Sequence, residues 1–198
     1  MTATILLIRH AAHAHLGQIL SGRAGEVPLS AAGRTQAQRL ARRLGSERIN
    51  AVHTSPVRRA RDTAQALAAV ANAPEDIAAP LDEVDFGDWS GRTFAELDQD
   101  PLWHAWNARR GETVPPGGES MRDVQERALG HLRSVARQAS GAVVAMVSHA
   151  DVIRAAVAGV IGLSLDRILS FDVDPASVTR IAAGTWGERV VSLNERWV

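Results

Sequence analysis

Two stretches of the chain are apolar without interruption, residues 5–8 (Ile-Leu-Leu-Ile) and residues 142–147 (Ala-Val-Val-Ala-Met-Val). Short unbroken apolar runs are what strands buried on both faces require. Residues 49–54 read as a third, shorter strand. Between these runs the period lengthens to that of a helix. Ala37, Leu40, Ala41 and Leu44 fall on one helical face, which Ser30 can cap and Gly45 can end. Ser55-Pro56 reads as a second helix start, with Ser as N-cap and Pro in the first turn, and predicts a helix to about Ala71. Ser120 and Asp123 form a capping box for a long helix ending near Ser140. A further helix is predicted from Asp151 to about Val160. Residues 77–81 read as a short strand. The tail reads as three more, at 169–173, 178–183 and 189–193, with Gly184 and Gly187 supplying the last turn.

Strands alternating with helices predict an α/β fold: a three-layer sandwich with a mostly parallel central sheet and helices on both faces. Residues 1–198 read as a single domain. From 82 to 118 the periodicity weakens, with Trp, Gly and Pro and only short helical stretches at 93–97 and 102–108. This segment reads as an insertion covering one edge of a site. In sheets of this kind ligands lie beyond the carboxyl ends of the strands. Arg9-His10 ends the first apolar strand and Ser148-His149 ends the other. Thr54-Ser55 ends the third and leads into Arg58 and Arg59. All three should open at the same edge.

Composition narrows the chemistry. Basic and acidic residues number 22 each, so the formal net charge is zero. General affinity for nucleic acid or anionic membrane is not expected, and any anion site must be a local cluster of Arg. There is no Cys, which excludes disulfides, thiolate nucleophiles and Cys-based zinc sites. Every basic residue is Arg; without Lys, Schiff-base chemistry and the P-loop lysine are excluded. Tyr is absent too. The catalytic alphabet that remains is His, Asp, Glu, Ser, Thr and Arg. The apolar run near the start is too short for a signal peptide and lacks a basic flank, and nothing is long enough to span a bilayer, so a cytoplasmic location is expected. A homodimer is considered as the assembly.

A lone His at a strand end is more often a partly buried residue bonded to a backbone carbonyl than a catalyst. His149 changes that balance for His10, because it occupies the same kind of position on a second buried strand. Two imidazoles and an Arg at one edge suit an anion, and a neutral imidazole near pH 7 can be a nucleophile. In residues 55–64 (Ser-Pro-Val-Arg-Arg-Ala-Arg-Asp-Thr-Ala), Arg61 reads as surface charge. Arg59 lies in a first helical turn, where free N–H groups already favour anions and a planar guanidinium fits two phosphate oxygens. Residues 81–91 carry four carboxylates, Asp82, Glu83, Asp85 and Asp88. They read as an acidic surface loop, as a metal site lacking the supporting His spacing, or as a cleft in which one carboxyl with a raised pKa is a general acid.

Taken in order, Arg9-His10-Ala11, SPxxRAxxTA at 55–64, LxExxFGxWxG at 81–91, Pro-Gly-Gly-Glu-Ser at 116–120 and Val-Ser-His149 resemble the histidine phosphatase superfamily, the phosphoglycerate-mutase-like group. The likeness runs from residue 5 to about 194. It implies that His10 forms a phosphohistidine, that Arg9, Arg59 and His149 hold the phosphoryl oxygens, and that Glu83 protonates the leaving oxygen and then deprotonates water. Ser21-Gly22 is similar to a phosphate-contacting loop of the family, one residue closer to His10 than in the mutases. Two Arg would stand in for the usual Mg²⁺, so neither metal nor cofactor is expected, and double displacement through His10 would retain configuration at phosphorus.

The chain departs from the family pattern in places. Ala11 replaces the Gly that follows the nucleophile, and Ala there calls for a backbone without positive φ. His13 stands where Thr or Ser is usual, and the usual Asn has no clear equivalent. His13 and His15 either fill that gap or are plain loop residues; a metal site of His10, His13 and His15 lacks a suitably placed acid. The Pro-Gly-Gly-Glu-Ser run and the compact length resemble the phosphatase branch, implying a metal-independent phosphomonoester hydrolase for a small phosphorylated metabolite. Two alternatives stand beside it. One is a mutase or sugar bisphosphatase, for which Arg109-Arg110 would supply a second Arg cluster. The other is a non-catalytic phospho-ligand binder. Trp103, His104 and Trp106 either cover the pocket or pack the core.

Overall fold

The computed structural model describes residues 2–24 and 26–197. Strand β1 (Ala3–Arg9) carries Ile5 and Leu7 on one face and Leu6 and Ile8 on the other, and all four are buried. This is why its sequence does not alternate. Helices α1 (Ala31–Leu44) and α2 (Arg58–Ala71) cover Leu6 and Ile8 with Leu40, Leu44, Ala64 and Leu67. On the opposite face, α5 (Met121–Gln138) and α6 (Ala150–Ile161) cover Ile5 and Leu7 with Val124, Leu132, Ile153 and Val157. Each such side chain contributes roughly 1.5–3 kcal/mol by leaving water. Strand β4 (Val143–Ser148) divides in the same way, with Val144 and Met146 facing one layer and Ala145 and Val147 the other.

With β2 (Ile49–Thr54), β3 (Glu75–Ile77), β5 (Val178–Gly184) and β6 (Gly187–Glu195) the sheet has the order β3-β2-β4-β1-β5-β6. The first four strands run parallel; β5 and β6 are antiparallel additions. The expected three-layer α/β architecture is what the chain adopts. Among the described residues, no helix is long and apolar enough to cross a membrane.

Local expectations met different fates. Ser30 caps α1 by accepting from the Gly33 amide, and Gly45 ends it in a right-handed rather than left-handed conformation. Ser120 and Asp123 form the capping box of α5. Ser55 is not the cap of α2: the helix begins at Arg58 with Val57 as N-cap, and the Ser55 hydroxyl accepts from the Val57 amide at 3.3 Å, before the helix starts, while also bonding Asp82 and His149. Residues 77–81 split into the end of β3 and a 3-10 turn, Ala79–Leu81. Residues 169–173 form no strand; Leu165–Ser170 is a 3-10 turn, and Ile168 and Val173 are buried from it without pairing into the sheet. In the 82–118 segment, α3 (Phe94–Leu97) and α4 (Pro101–Ala108) are the short helices expected.

Candidate active site

The ladder between β1 and β4 pairs Arg9 with Ser148, so His10 and His149 emerge side by side one residue beyond it. Their rings lie 5.0 Å apart, centroid to centroid. The His10 amide donates to the Ser148 carbonyl at 2.9 Å, which extends the ladder by a rung. Beyond this edge opens a cavity of about 330 Å³ lined by Arg9, His10, Arg59 and Glu83 at its base.

The state of His10 follows from its partners. Its Nδ1 lies 2.8 Å from the Ala11 carbonyl, which can only accept, so the proton sits on Nδ1. Nε2 therefore carries the lone pair, and Arg59 Nε donates to it at 3.2 Å. Burial pushes the imidazole well below its ordinary pKa of 6.5, and Arg59 and Arg9 push it further down. A neutral ring with a defined tautomer and a lone pair toward a cationic cavity is poised as a nucleophile.

Arg59 is almost fully buried at the start of α2. Its Nη2 donates to the Gly22 carbonyl at 2.8 Å and lies 3.3 Å from His149 Nδ1, while Nη1 is buried without a partner. Arg9 reaches the Val173 carbonyl through Nη1 at 2.7 Å, and its Nε is likewise buried and unpaired. Both guanidiniums line the cavity, and an unpaired buried donor on each suits a multiply charged oxyanion. His149 is the N-cap of α6. Ser55 Oγ donates to Asp82 Oδ1 at 3.2 Å, so the 2.8 Å contact of His149 Nε2 with Ser55 Oγ is a donation from the ring. This leaves His149 Nδ1 facing Arg59 and Glu83. Glu83 Oε2 is 3.4 Å from that nitrogen and 3.8 Å from Arg59 Nη2. Burial raises the Glu83 carboxyl to about 7, against the pull of Arg59. It holds a proton near neutrality, as a general acid must.

Ser21 and Gly22 line the same cavity, and Gly22 takes a positive φ of 49°. The backbone at Ala11 is not in the positive-φ region, so Ala is accommodated; its amide donates to Thr63 Oγ1 at 3.1 Å. His13 is brought into the cavity wall, 5.3 Å from the His10 ring, and burial with nearby cations lowers its pKa to about 4. His15 does not line the cavity; its Nδ1 lies 3.3 Å from Ser21 Oγ. Trp106 does both things expected of it, packing fully buried in the core and closing the cavity. Among the described residues no cluster of three or more His, Asp or Glu is arranged to hold a metal ion.

The model of the histidine phosphatase superfamily, branch 1, matches residues 5–196. The chain belongs to this superfamily. Phosphoserine phosphatase 1 of Hydrogenobacter thermophilus is 31% identical over 155 residues, covering 77% of this chain and 74% of that one. A metal-independent phosphoserine phosphatase of Arabidopsis thaliana is 33% identical over 162 residues, 76% of this chain and 66% of its own length. The solved structure of a mycobacterial glucosyl-3-phosphoglycerate phosphatase superposes with a TM-score of 0.87 at 25% identity, over 98% of this chain and 99% of that one. The chain is a phosphoric monoester hydrolase of the phosphatase kind.

In this histidine phosphatase the outer cavity wall holds residues that sequence reasoning missed or left open. Arg110 is 5% exposed, lies 3.8 Å over the Trp106 ring and sits 3.0 Å from Asp151 Oδ2. Its Nε is buried without a hydrogen-bond partner. Arg154 lies 3.4 Å from Asp151 Oδ1 and lines the cavity beside Asn107. Two cations against one carboxylate leave this wall with a net positive charge. The Arg109-Arg110 pair is the signal that was visible, and only Arg110 of the two faces the cavity.

Proposed function

We propose that this phosphatase hydrolyses a small, carboxylate-bearing phosphomonoester through a phosphohistidine on His10. The observation that carries the reading is the His10 tautomer: the Ala11 carbonyl holds the proton on Nδ1, and the Nε2 lone pair meets Arg59 in a cavity lined by Arg9, Arg59 and Glu83. Nε2 attacks phosphorus, and the phosphorus–oxygen ester bond breaks as Glu83 gives its proton to the departing oxygen. Water then attacks the phosphohistidine, gives a proton to the Glu83 carboxylate, and releases inorganic phosphate and neutral His10. Arg9 and Arg59 hold the non-bridging oxygens throughout, with Ser21 and Gly22 shaping the rim, and His149 joins them as the imidazolium, donating from Nδ1 once the phosphate dianion beside it has drawn a proton onto the ring. The two guanidiniums supply the charge stabilisation that phosphoryl transfer needs.

The substrate's carboxylate is read from Arg110 and Arg154 on the outer wall, and from relatives named for phosphoserine and glucosyl-3-phosphoglycerate, both carboxylates. We read residues 1–198 as one domain in which the 82–118 segment is an insertion over the site, working in the cytoplasm. The test is hydrolysis of phosphoserine beside phosphoethanolamine, which lacks the carboxylate, by wild type, His10→Ala and Arg110→Gln, with and without EDTA. Activity that survives EDTA, disappears in His10→Ala and loses its preference for phosphoserine in Arg110→Gln supports the reading. Undiminished turnover by His10→Ala would sink it.

A further inference from the structure

The Pro-Gly-Gly-Glu-Ser run has no part in the chemistry so far, yet it lies against the segment that carries Glu83. The Asp88 amide donates to the Pro116 carbonyl at 2.9 Å, and the Glu119 amide donates to the Asp85 carbonyl at 3.0 Å. The two segments run so close that a Cβ on Gly118 would stand 2.3 Å from the Asp85 carbonyl oxygen, and one on Gly87 would stand 2.0 Å from that of Pro116. The glycines thus bring Glu119 to a defined place. There its Oε1 accepts from the Asp85 amide at 2.9 Å, from Arg127 Nη2 at 2.8 Å and from Arg23 Nη2 at 2.6 Å.

Arg127 projects from α5 and gathers the carbonyls of the loop that bears Glu83. Its Nη1 donates to Pro80 at 2.8 Å and to Asp82 at 2.7 Å, and its Nη2 to Glu83 at 3.1 Å. The Glu83 carbonyl also accepts from Arg23 Nε at 2.9 Å. Arg23 follows Gly22, whose own carbonyl anchors Arg59. The loop has no ladder of its own, so these guanidinium bonds fix its backbone, together with Ser148 Oγ donating to the Leu81 carbonyl at 2.7 Å.

We propose that Arg127 and Glu119 are positioning residues for Glu83, forming with Arg23 a clamp that holds residues 80–85 where the Glu83 carboxyl reaches the leaving oxygen. The inference rests on the proposed acid role of Glu83. An ångström of misplacement costs a reacting group about 100-fold, and the clamp is the only set of side chains among the described residues that grips the Glu83 carbonyl.

The test separates positioning from general damage by leaving group. p-Nitrophenyl phosphate departs without a proton; glycerol 2-phosphate does not. The comparison uses kcat/KM, which covers steps only through formation of the phosphohistidine. Arg127→Met and Glu119→Met should each lower kcat/KM on glycerol 2-phosphate by at least about 10-fold and on p-nitrophenyl phosphate by less than about 3-fold. Adding either change to Glu83→Gln should cost little more than Glu83→Gln alone, because the clamp acts through that carboxyl. Should Arg127→Met fail to fold, Glu119→Met, which keeps the length of the side chain and removes its acceptors, carries the test. Equal losses on both substrates, or full additivity with Glu83→Gln, would overturn the clamp while leaving the acid role intact. If Glu83→Gln itself fails to distinguish the two substrates, the acid role and the clamp fall together.

Discussion

Thr63 lies on α2, wholly buried and one turn beyond Arg59, and it does not face the cavity. Its hydroxyl donates to the Arg59 carbonyl at 2.8 Å and accepts the Ala11 amide at 3.1 Å. Thr63→Val keeps the volume and removes the acceptor, stranding a buried N–H beside His10. Leaving such a group unsatisfied costs about 1–3 kcal/mol. For a chain of this length that is a fall in Tm of roughly 2–12 °C. Thr63→Ser is the control: it keeps the hydroxyl and loses one buried methyl, worth about 0.8 kcal/mol. Thermal melts of the three proteins at one pH, with turnover of p-nitrophenyl phosphate, make the comparison. Val should be the less stable variant and should lose activity, since the released Ala11 amide frees the backbone that sets the His10 tautomer. A Val variant melting with wild type, or above Ser, would refute the assignment.

Three other outcomes are expected. Because burial raises Glu83 to about 7 from an ordinary 4.5, the fold favours its neutral form, and that stabilisation is lost as pH rises through about 7. Glu83→Gln should therefore gain stability over wild type between pH 5 and pH 8, by a limit on the order of 3 kcal/mol, in urea unfolding; a gap independent of pH would contradict this. Gly33→Ala would set a Cβ 1.8 Å from the Ala12 carbonyl oxygen, which accepts from the Ser30 amide. It should destabilise by about 1–3 kcal/mol and slow turnover, and wild-type melting would show that the approach is looser than described. Arg59→Lys keeps the charge but cannot contact His10, Gly22 and His149 at once. A fall in kcat/KM of about 100-fold is expected on any phosphomonoester, and retention of activity within 3-fold would count against the planar fork as the requirement.

The parts of the fold that were legible were those settled by local chemistry. The unbroken apolar runs of β1 and β4 admit no other burial, and the caps at Ser30 and Ser120 satisfy amides of their own helices. Ser55 misled because its hydroxyl accepts from the Val57 amide ahead of the helix and is shared with distant groups, Asp82 and His149, 27 and 94 residues away. Residues 169–173 misled because short apolar stretches around Leu169 and Val173 suit a strand and a 3-10 turn alike, and only packing decides. In the site, Arg9, His10 and His149 could be placed together from strand ends alone, and Arg59 from its helix start. Thr63, Arg127 and Arg154 could not, since each acts through a backbone carbonyl, an amide or a neighbouring charge that composition does not reveal.

The register of Arg9 against Ser148 fixes more than a place for two side chains. Neighbouring strands are held about 4.8 Å apart by the peptide group itself, and the two imidazole centroids stand 5.0 Å apart. The spacing of the two imidazoles thus matches the repeat of the backbone, which no substitution of a side chain rescales. Helices can exchange their apolar residues, and the covering segment its pocket wall, without moving that mark. A lineage working to such a ruler is free to rewrite most of its letters, as 25% identity at a TM-score of 0.87 illustrates.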